Sequence, residues 1–151
     1  MKPKIRLRAC ALIIEKESVL LIEFDDENGL HYNLPAGGVE LEEPIIEAVK
    51  REAMEEASVE VEVGPLAFVS ELIEEGDRHQ VSFIFDCTLQ KGSIPQLPPH
   101  PDPHQTGVKW VPLSALDQIV LYPNIRSHII EYAKNRRNIE LIEECYLESY
   151  E

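Results

Sequence analysis

Three glutamates, Glu52, Glu55 and Glu56, stand at positions i, i+3 and i+4. On a helix this spacing puts all three carboxylates on one side, within reach of a common point. Like charges so placed repel by ~0.2–0.5 kcal/mol per pair even in water, and a helix that merely faces solvent more often interleaves lysines there. A hard divalent cation removes the conflict, because Mg2+ takes oxygen ligands, commonly a few carboxylates together with water and substrate phosphates. From the spacing alone, an acidic surface helix and a metal site both stay open.

The surrounding string narrows the choice. Counting from Gly37, five residues intervene before Glu43 and seven more before Arg51-Glu52, followed by Ala53, Met54, Glu55-Glu56, Ala57, Ser58 and Val59. In a chain this rich in glutamate, a chance match at Gly37, Glu43, Arg51, Glu52, Glu55 and Glu56 has a probability on the order of one in several thousand. The pattern resembles the Nudix box, G-x(5)-E-x(7)-R-E-U-x-E-E-x-G-U, and the approach Leu34-Pro35-Ala36-Gly37-Gly38-Val39-Glu40 resembles that family's lead-in. Two positions depart from it. Ser58 stands where the box has its last glycine, which bears on the left-handed turn after the helix, and Ala53 is small for its apolar slot.

The resemblance implies an α/β/α sandwich with a mixed β-sheet, in which a loop-helix-loop presents the box glutamates to a metal-bound diphosphate. It also implies Mg2+, with Mn2+ as a substitute, and attack of water on phosphorus in a nucleoside diphosphate linked to another moiety or in a nucleoside triphosphate. Glu52, Glu55, Glu56 and Arg51 are then the catalytic set, and the three glutamates are the metal ligands. The base is one of these glutamates or a carboxylate from another loop. Arg51 lies four residues from both Glu47 and Glu55 and is expected to hold the acidic helix by ion pairs. Glu43 is expected to be structural, pairing with Arg51 or stabilising the helix N-terminus, and Gly37 and Gly38 to let the backbone fold close to the metal.

The same fold supports two other readings. Prenyl diphosphate isomerases use a Cys and a Glu, for which Cys10 and Cys87 are candidates only by default, and a non-catalytic module would bind a nucleotide as a sensor. The intact box glutamates argue against both.

Substrate readers must lie outside the box. Lys4, Arg6 and Arg8 alternate and share one face of the first strand, where they meet phosphates or face water. Arg78 and His79 sit at a turn, and Asp102 and Gln105 lie in a loop before Trp110 where Nudix enzymes often supply a further acidic group. Tyr32, Phe68 and Phe83 are aromatic candidates for stacking, but such strand aromatics are more often core. Relatives acting on ADP-ribose tend to carry a proline, and those acting on dinucleoside polyphosphates a tyrosine, fifteen to twenty residues past the box. Here that region reads Glu74-Glu75-Gly76.

Several elements must position these groups. The branched runs 7–14 and 19–24 flank the charged turn 15–18 and predict a hairpin. Residues 31–34 form a short strand ending at Pro35, and 36–38 a loop free to turn tightly. The helix runs from about 43 to 57, with Glu43 at a cap-like position, Pro44 as first helical residue, and Ile46, Val49, Ala53 and Ala57 as its apolar stripe. Runs 59–73 and 81–89 predict a second hairpin. Five prolines in 92–107 exclude helix and central strand and leave a surface loop. A short strand 108–112, a helical turn 113–116 and a helix 125–136 follow, with Arg136 and Arg137 near the helix's negative end. The tail 139–150 either frays or pairs with a second subunit as a homodimer contact.

Composition limits the partners. At 151 residues the chain has room for one domain, 1–151. Its net charge of −14 disfavours duplex nucleic acid and leaves a small nucleotide-type diphosphate bound through a metal. Three distant cysteines make neither a disulfide framework nor a zinc site, so a cytoplasmic setting is expected. The apolar run 9–14 is too short for a signal sequence or a membrane span.

Overall fold

The computed structural model describes residues 4–136 and 140–150. The first hairpin forms from β1 (Ile5–Glu15) and β2 (Ser18–Asp26), with Lys16 and Glu17 both left-handed at the turn. The two strands pair only through Ile14↔Val19 and Glu15↔Ser18 and then diverge. Into the opening go β3 (Gly29–Asn33), antiparallel to the far end of β2, and β4 (Ala36–Gly38), antiparallel to β1 from Arg8↔Gly38 to Cys10↔Ala36. Between them the Ala11 amide donates to the Pro35 carbonyl at 2.9 Å. Residues 36–38, expected as a free loop, are therefore a strand. Neither Gly37 nor Gly38 takes a positive φ, so their value lies in lacking a side chain rather than in turning.

The box helix is α1 (Ile45–Ala57), and Pro44 is its N-cap in an extended conformation, one position earlier than expected. Its buried face is Ala48, Val49, Glu52, Ala53 and Ala57. Ile46 lies in line with Ala53 and Ala57 at 100° per residue but sits in the first turn of the helix, where it is exposed, contrary to the predicted stripe. The buried alanines keep α1 close to the sheet. Ser58 ends the helix at φ 58°, ψ 33°, with its amide donating to the Met54 carbonyl at 3.0 Å. This is the left-handed turn at which the box has a glycine.

The second hairpin is β5 (Val61–Glu74) with β6 (Arg78–Leu89), and its register shifts around Gly64 and Pro65. β6 runs parallel to β1 from Ile5↔His79 to Ile13↔Cys87. The proline loop has no regular structure until β7 (Gln105–Pro112), which pairs antiparallel with β2. A 3-10 turn over Leu113–Gln118 leads on to α2 (Arg126–Lys134). β8 (Glu140–Glu143) then adds to β5 in parallel. The path of the sheet is β3-β2-β1-β6-β5-β8, with β4 on β1 and β7 on β2.

Alternation along the central strands builds two apolar layers. Ala9, Ala11, Ile13, Leu20 and Ile22 pack under α1, whereas Cys10, Leu12, Val19 and Leu21 pack with Ile125, Ile129 and Tyr132 on the α2 side. Because helices cover both faces, these runs read as continuously apolar. The result is the expected α/β/α sandwich with a mixed sheet.

Over 140–143 the tail is not frayed: it joins the sheet of its own chain as β8 and buries Ile142 in the α2-side core. Arg136 pairs with Asp86 at 3.4 Å, while Arg137 and Ile139 lie outside the described residues. Among the described residues, no helix is long and apolar enough to cross a membrane.

The strained end of α1 is testable. A left-handed conformation costs a residue with a Cβ about 1–2 kcal/mol, and a glycine gives part of this back in unfolded-state entropy. Ser58→Gly should therefore raise the unfolding free energy by about 0.5–1 kcal/mol in urea titrations. A loss of stability would refute the turn.

Candidate active site

Strand β4, α1, the starts of β1 and β6 and the proline loop at 98–102 surround an open cavity of about 850 Å3. Its acidic wall carries Glu52, Glu55 and Glu56. Glu52 is only 8% exposed and lies against Gly37, where an added Cβ would overlap its carboxyl group. The glycine at the start of the box thus makes room for the second of its glutamates. Glu56 Oε1 accepts a hydrogen bond from the Ala36 amide at 2.7 Å, and Gln105 Nε2 donates to the Glu56 carbonyl at 2.8 Å. Strand β4 and the loop before β7 are in this way fastened to the helix that carries the carboxylates.

Arg51 does not line the cavity; it braces it. Its Nε and Nη2 grip both oxygens of Glu43 at 2.7 and 2.9 Å, and Nη2 also donates to the Gly38 carbonyl at 3.0 Å. Nη1 donates to Glu52 at 2.6 Å and to Glu55 at 3.3 Å. The expected pairing with Glu47 does not form, since Glu47 faces Lys50 at 3.8 Å. Glu43 Oε1 also accepts from the Glu40 amide at 3.0 Å, so its carboxylate is engaged by both Arg51 and the loop before the helix. The Arg51 hydrogen bonds, and then that backbone amide, hold the Glu43 carboxyl down to about 2.

The opposite wall is basic. Arg6, Arg8 and Arg78 all face the cavity, the first two from β1 and the third from the start of β6. Lys4 does not line it, and Arg78 also pairs with Glu74. His79 turns to Glu71 at 2.8 Å. Asp102 and Gln105 contribute from the proline loop, although the Gln105 amide is already engaged by the helix.

Phe24, Asn33, Gln80 and His100 also line the cavity, and sequence reasoning passed over them. Gln80 reaches it because β6 pairs in parallel with β1, opposite Arg6, a long-range match without a local signal. Asn33 sits just ahead of the Leu34-Pro35-Ala36 lead-in, and its buried Oδ1 has no hydrogen-bond partner among the described residues. The proposed stacking aromatics lie elsewhere: Phe68 is core, Phe83 packs on the α1-side layer, and Tyr32 donates its hydroxyl to Glu23 at 2.9 Å.

Among the described residues, no group of three His, Cys, Asp or Glu side chains is gathered as a ready metal cage. The reason is visible: Arg51 draws Glu52 and Glu55 to itself while the Ala36 amide holds Glu56. The donor set nonetheless fits a hard cation. Burial pushes the Glu56 carboxyl up to about 7, Glu52 and Asp102 add to the rise, and burial raises Glu52 as well. Crowded, poorly hydrated carboxylates around the space left by Gly37 are what a divalent ion would relieve.

Two stability measurements test this arrangement. Hydrogen bonds to charged groups are worth about 1.5–3 kcal/mol, so Arg51→Ala should lower the unfolding free energy by about 2 kcal/mol or more. Arg51→Lys should recover only part of that, lacking the planar fork. Equal stability of the alanine variant and the parent in urea would refute the bracing role. Folded Glu56 holds its proton up to about 7, well above an ordinary carboxyl, so its stabilising effect is complete below the unfolded value and lost as pH rises through 7. In metal-free buffer the melting temperature of Glu56→Gln, relative to the parent, should therefore climb between acid and alkaline pH. A flat or falling difference would refute the assigned burial.

The NUDIX domain profile matches residues 4–132. A NUDIX hydrolase from Nitrosomonas europaea superposes with a TM-score of 0.72 at 20% identity, over 95% of this chain and 81% of that one. A MutT NUDIX hydrolase from Burkholderia pseudomallei gives 0.69 at 24% identity, over 85% and 97%. An ADP-ribose pyrophosphatase from Streptococcus suis 89-1591 gives 0.69 at 19% identity, over 91% and 99%. At these identities the likeness is one of fold, and a search of curated proteins finds no match. With the profile spanning most of the sequence and the box residues arranged around one cavity, the chain belongs to the Nudix hydrolase family.

Proposed function

We propose that this protein hydrolyses a phosphoanhydride bond, with Mg2+ or in its place Mn2+, in a nucleoside diphosphate linked to another moiety or in a nucleoside triphosphate. The observation that carries this reading is that Arg6, Arg8 and Arg78 line the same cavity as Glu52, Glu55 and Glu56. A diphosphate needs cationic donors and a bridging cation; the arginines supply the first, and the glutamates would hold the second. Bound among the glutamate oxygens, the ion would neutralise phosphoryl charge and make water more acidic.

The chain's own residues do the rest. The three arginines orient the phosphates, and the fixed backbone of β4 and α1 limits how they can lie. Glu56, poised near neutrality by burial, is suited to take a proton from the attacking water, because a base works best with its pKa near the operating pH. Phe24 offers a ring for stacking and Asn33 Oδ1 an unengaged acceptor for an N–H donor. A small nucleotide is the partner. The net charge of −14 works against duplex nucleic acid.

The isomerase alternative loses ground on the cysteines. Burial pushes Cys10 up to about 11 and Cys87 up to about 12, and neither lines the cavity. Such thiols are inert.

A screen with Mg2+ or Mn2+ against nucleoside triphosphates, nucleotide sugars, ADP-ribose and dinucleoside polyphosphates, scoring phosphate or nucleotide release, tests the function. Silence across all of them, with nucleotide still bound, would establish a sensor instead. Glu56→Gln should cut kcat by about 10²–10⁴-fold, the usual contribution of a positioned base. Gly37→Ala should fold, because the overlapped atoms are the end of a flexible Glu52 side chain. Displacing that carboxylate should cost about tenfold or more in kcat. Retained turnover in both variants would sink the assignment.

A further inference from the structure

Residues 140–150 lie beyond the matched span 4–132, yet they reach the wall behind the cavity at two places. The first is Tyr150. Its hydroxyl accepts from the Leu121 amide at 2.9 Å and donates to the Leu121 carbonyl at 3.0 Å. The segment it holds is bonded to β3 on both sides of Tyr32: the Tyr32 amide donates to Val120 at 2.8 Å, and the Tyr122 amide donates to Tyr32 at 3.0 Å. Rings continue the link. Tyr150 meets Tyr122 edge-on at 5.8 Å, Tyr122 meets His31 at 5.5 Å, and His31 stacks on Phe24, a cavity residue, at 5.6 Å. The Arg126 guanidinium lies 4.6 Å over the Tyr150 ring and helps to hold it in place.

The second place is Glu144, in the short turn Glu144–Tyr146. It follows β8, whose Ile142 lies in one row with Ser70, Ser82 and Arg8 across β5, β6 and β1; burial raises its carboxyl, while the guanidiniums of Arg78 and Arg8 pull it back down. Both of these arginines face the cavity.

Between tail and cavity lies a small chamber of about 30 Å3, room for about one water. Leu121, Tyr122 and Ser70 form its back, whereas Arg8, Asn33 and Gln80 line both the chamber and the cavity. One layer of side chains therefore separates the surface that the tail holds from the surface that a ligand would touch.

We propose that residues 140–150 are a positioning element of the substrate cavity, with Tyr150 and Glu144 setting Asn33, Arg8 and Arg78 from behind so that they are pre-arranged for a nucleoside diphosphate. Neither Tyr150 nor Glu144 touches the substrate. The proposal rests on the cavity being the substrate site. It adds that the affinity of that site depends on a segment outside the span matched by the family profile. Rigid support of this kind saves the ordering cost otherwise met on binding.

Tyr150→Phe keeps the ring and removes only the hydroxyl, and Glu144→Gln keeps the size and removes the charge. ADP with Mg2+ is the probe, its Kd measured by calorimetry, and amide hydrogen exchange is followed in the same proteins. Each variant should weaken ADP about fivefold or more, where tenfold corresponds to 1.4 kcal/mol. In Tyr150→Phe, faster exchange should spread from Leu121 and Tyr122 through Tyr32 to Ala36 and spare the amides of α1. Unchanged ADP affinity in both variants, with faster exchange confined to 121–122 and 140–150, would overturn the proposal and leave the tail a stabilising strand only. If the unaltered protein takes up no ADP, the nucleotide reading fails on that result, and the exchange pattern alone decides the positioning role: spread to Ala36 upholds it and confinement to the tail refutes it.

Discussion

One guanidinium holds the site together. All five N–H groups of Arg51 are engaged: two by the carboxylate of Glu43, one by the Gly38 carbonyl and two by Glu52 and Glu55. Gly38 ends β4, Glu43 lies in the loop before α1, and Glu52 and Glu55 belong to the helix itself, so one side chain ties strand, loop and helix together. Without it, these three acidic side chains would repel one another at the start and along one side of the helix. Arginine suits this post because its planar fork matches a carboxylate with two parallel bonds and its charge persists at every pH of interest.

The same corner depends on backbone packing that charge cannot provide. Because β1 and β2 separate after two residue pairs, 33–38 can enter the sheet and lie directly under α1. The Ala36 amide then meets Glu56, and Gly37, lacking a side chain, admits the Glu52 carboxyl. Two carboxylates are thereby partly buried close together, and both are raised. The energy stored in that crowding is available to a cation, and a divalent ion is a larger local charge than any side chain here. The acidity of the whole molecule is thus compatible with binding a phosphate ester, provided that the ion arrives with it and that Arg6, Arg8 and Arg78 face it.

Much of this could be read from residue order. The box residues, the helix they occupy, both hairpins and the irregular proline loop follow from spacing, branched runs and the missing amides of prolines, all of which act within a few residues. The left-handed turn at Ser58 was legible for the same reason. Where local rules misled, tertiary packing was the cause. Residues 36–38 look like a flexible loop in isolation but find a strand partner in β1, and Ile46 fits a helical stripe but is exposed in the first turn of α1, ahead of the turns that the sheet covers.

By itself the sequence determined the types of chemistry present: which carboxylates share a helix face and which arginines share a strand face. Only the tertiary structure decided which of these groups meet. Arg51 turned to Glu43 rather than Glu47, Gln80 came beside Arg6, Asn33 and Phe24 entered the cavity, and the acidic tail closed on β5 of its own chain. The physical reason is that side-chain types and short periodicities are local properties. The parallel pairing of β1 with β6, and of β5 with β8, joins segments more than sixty residues apart and is selected only when the whole apolar surface is buried at once.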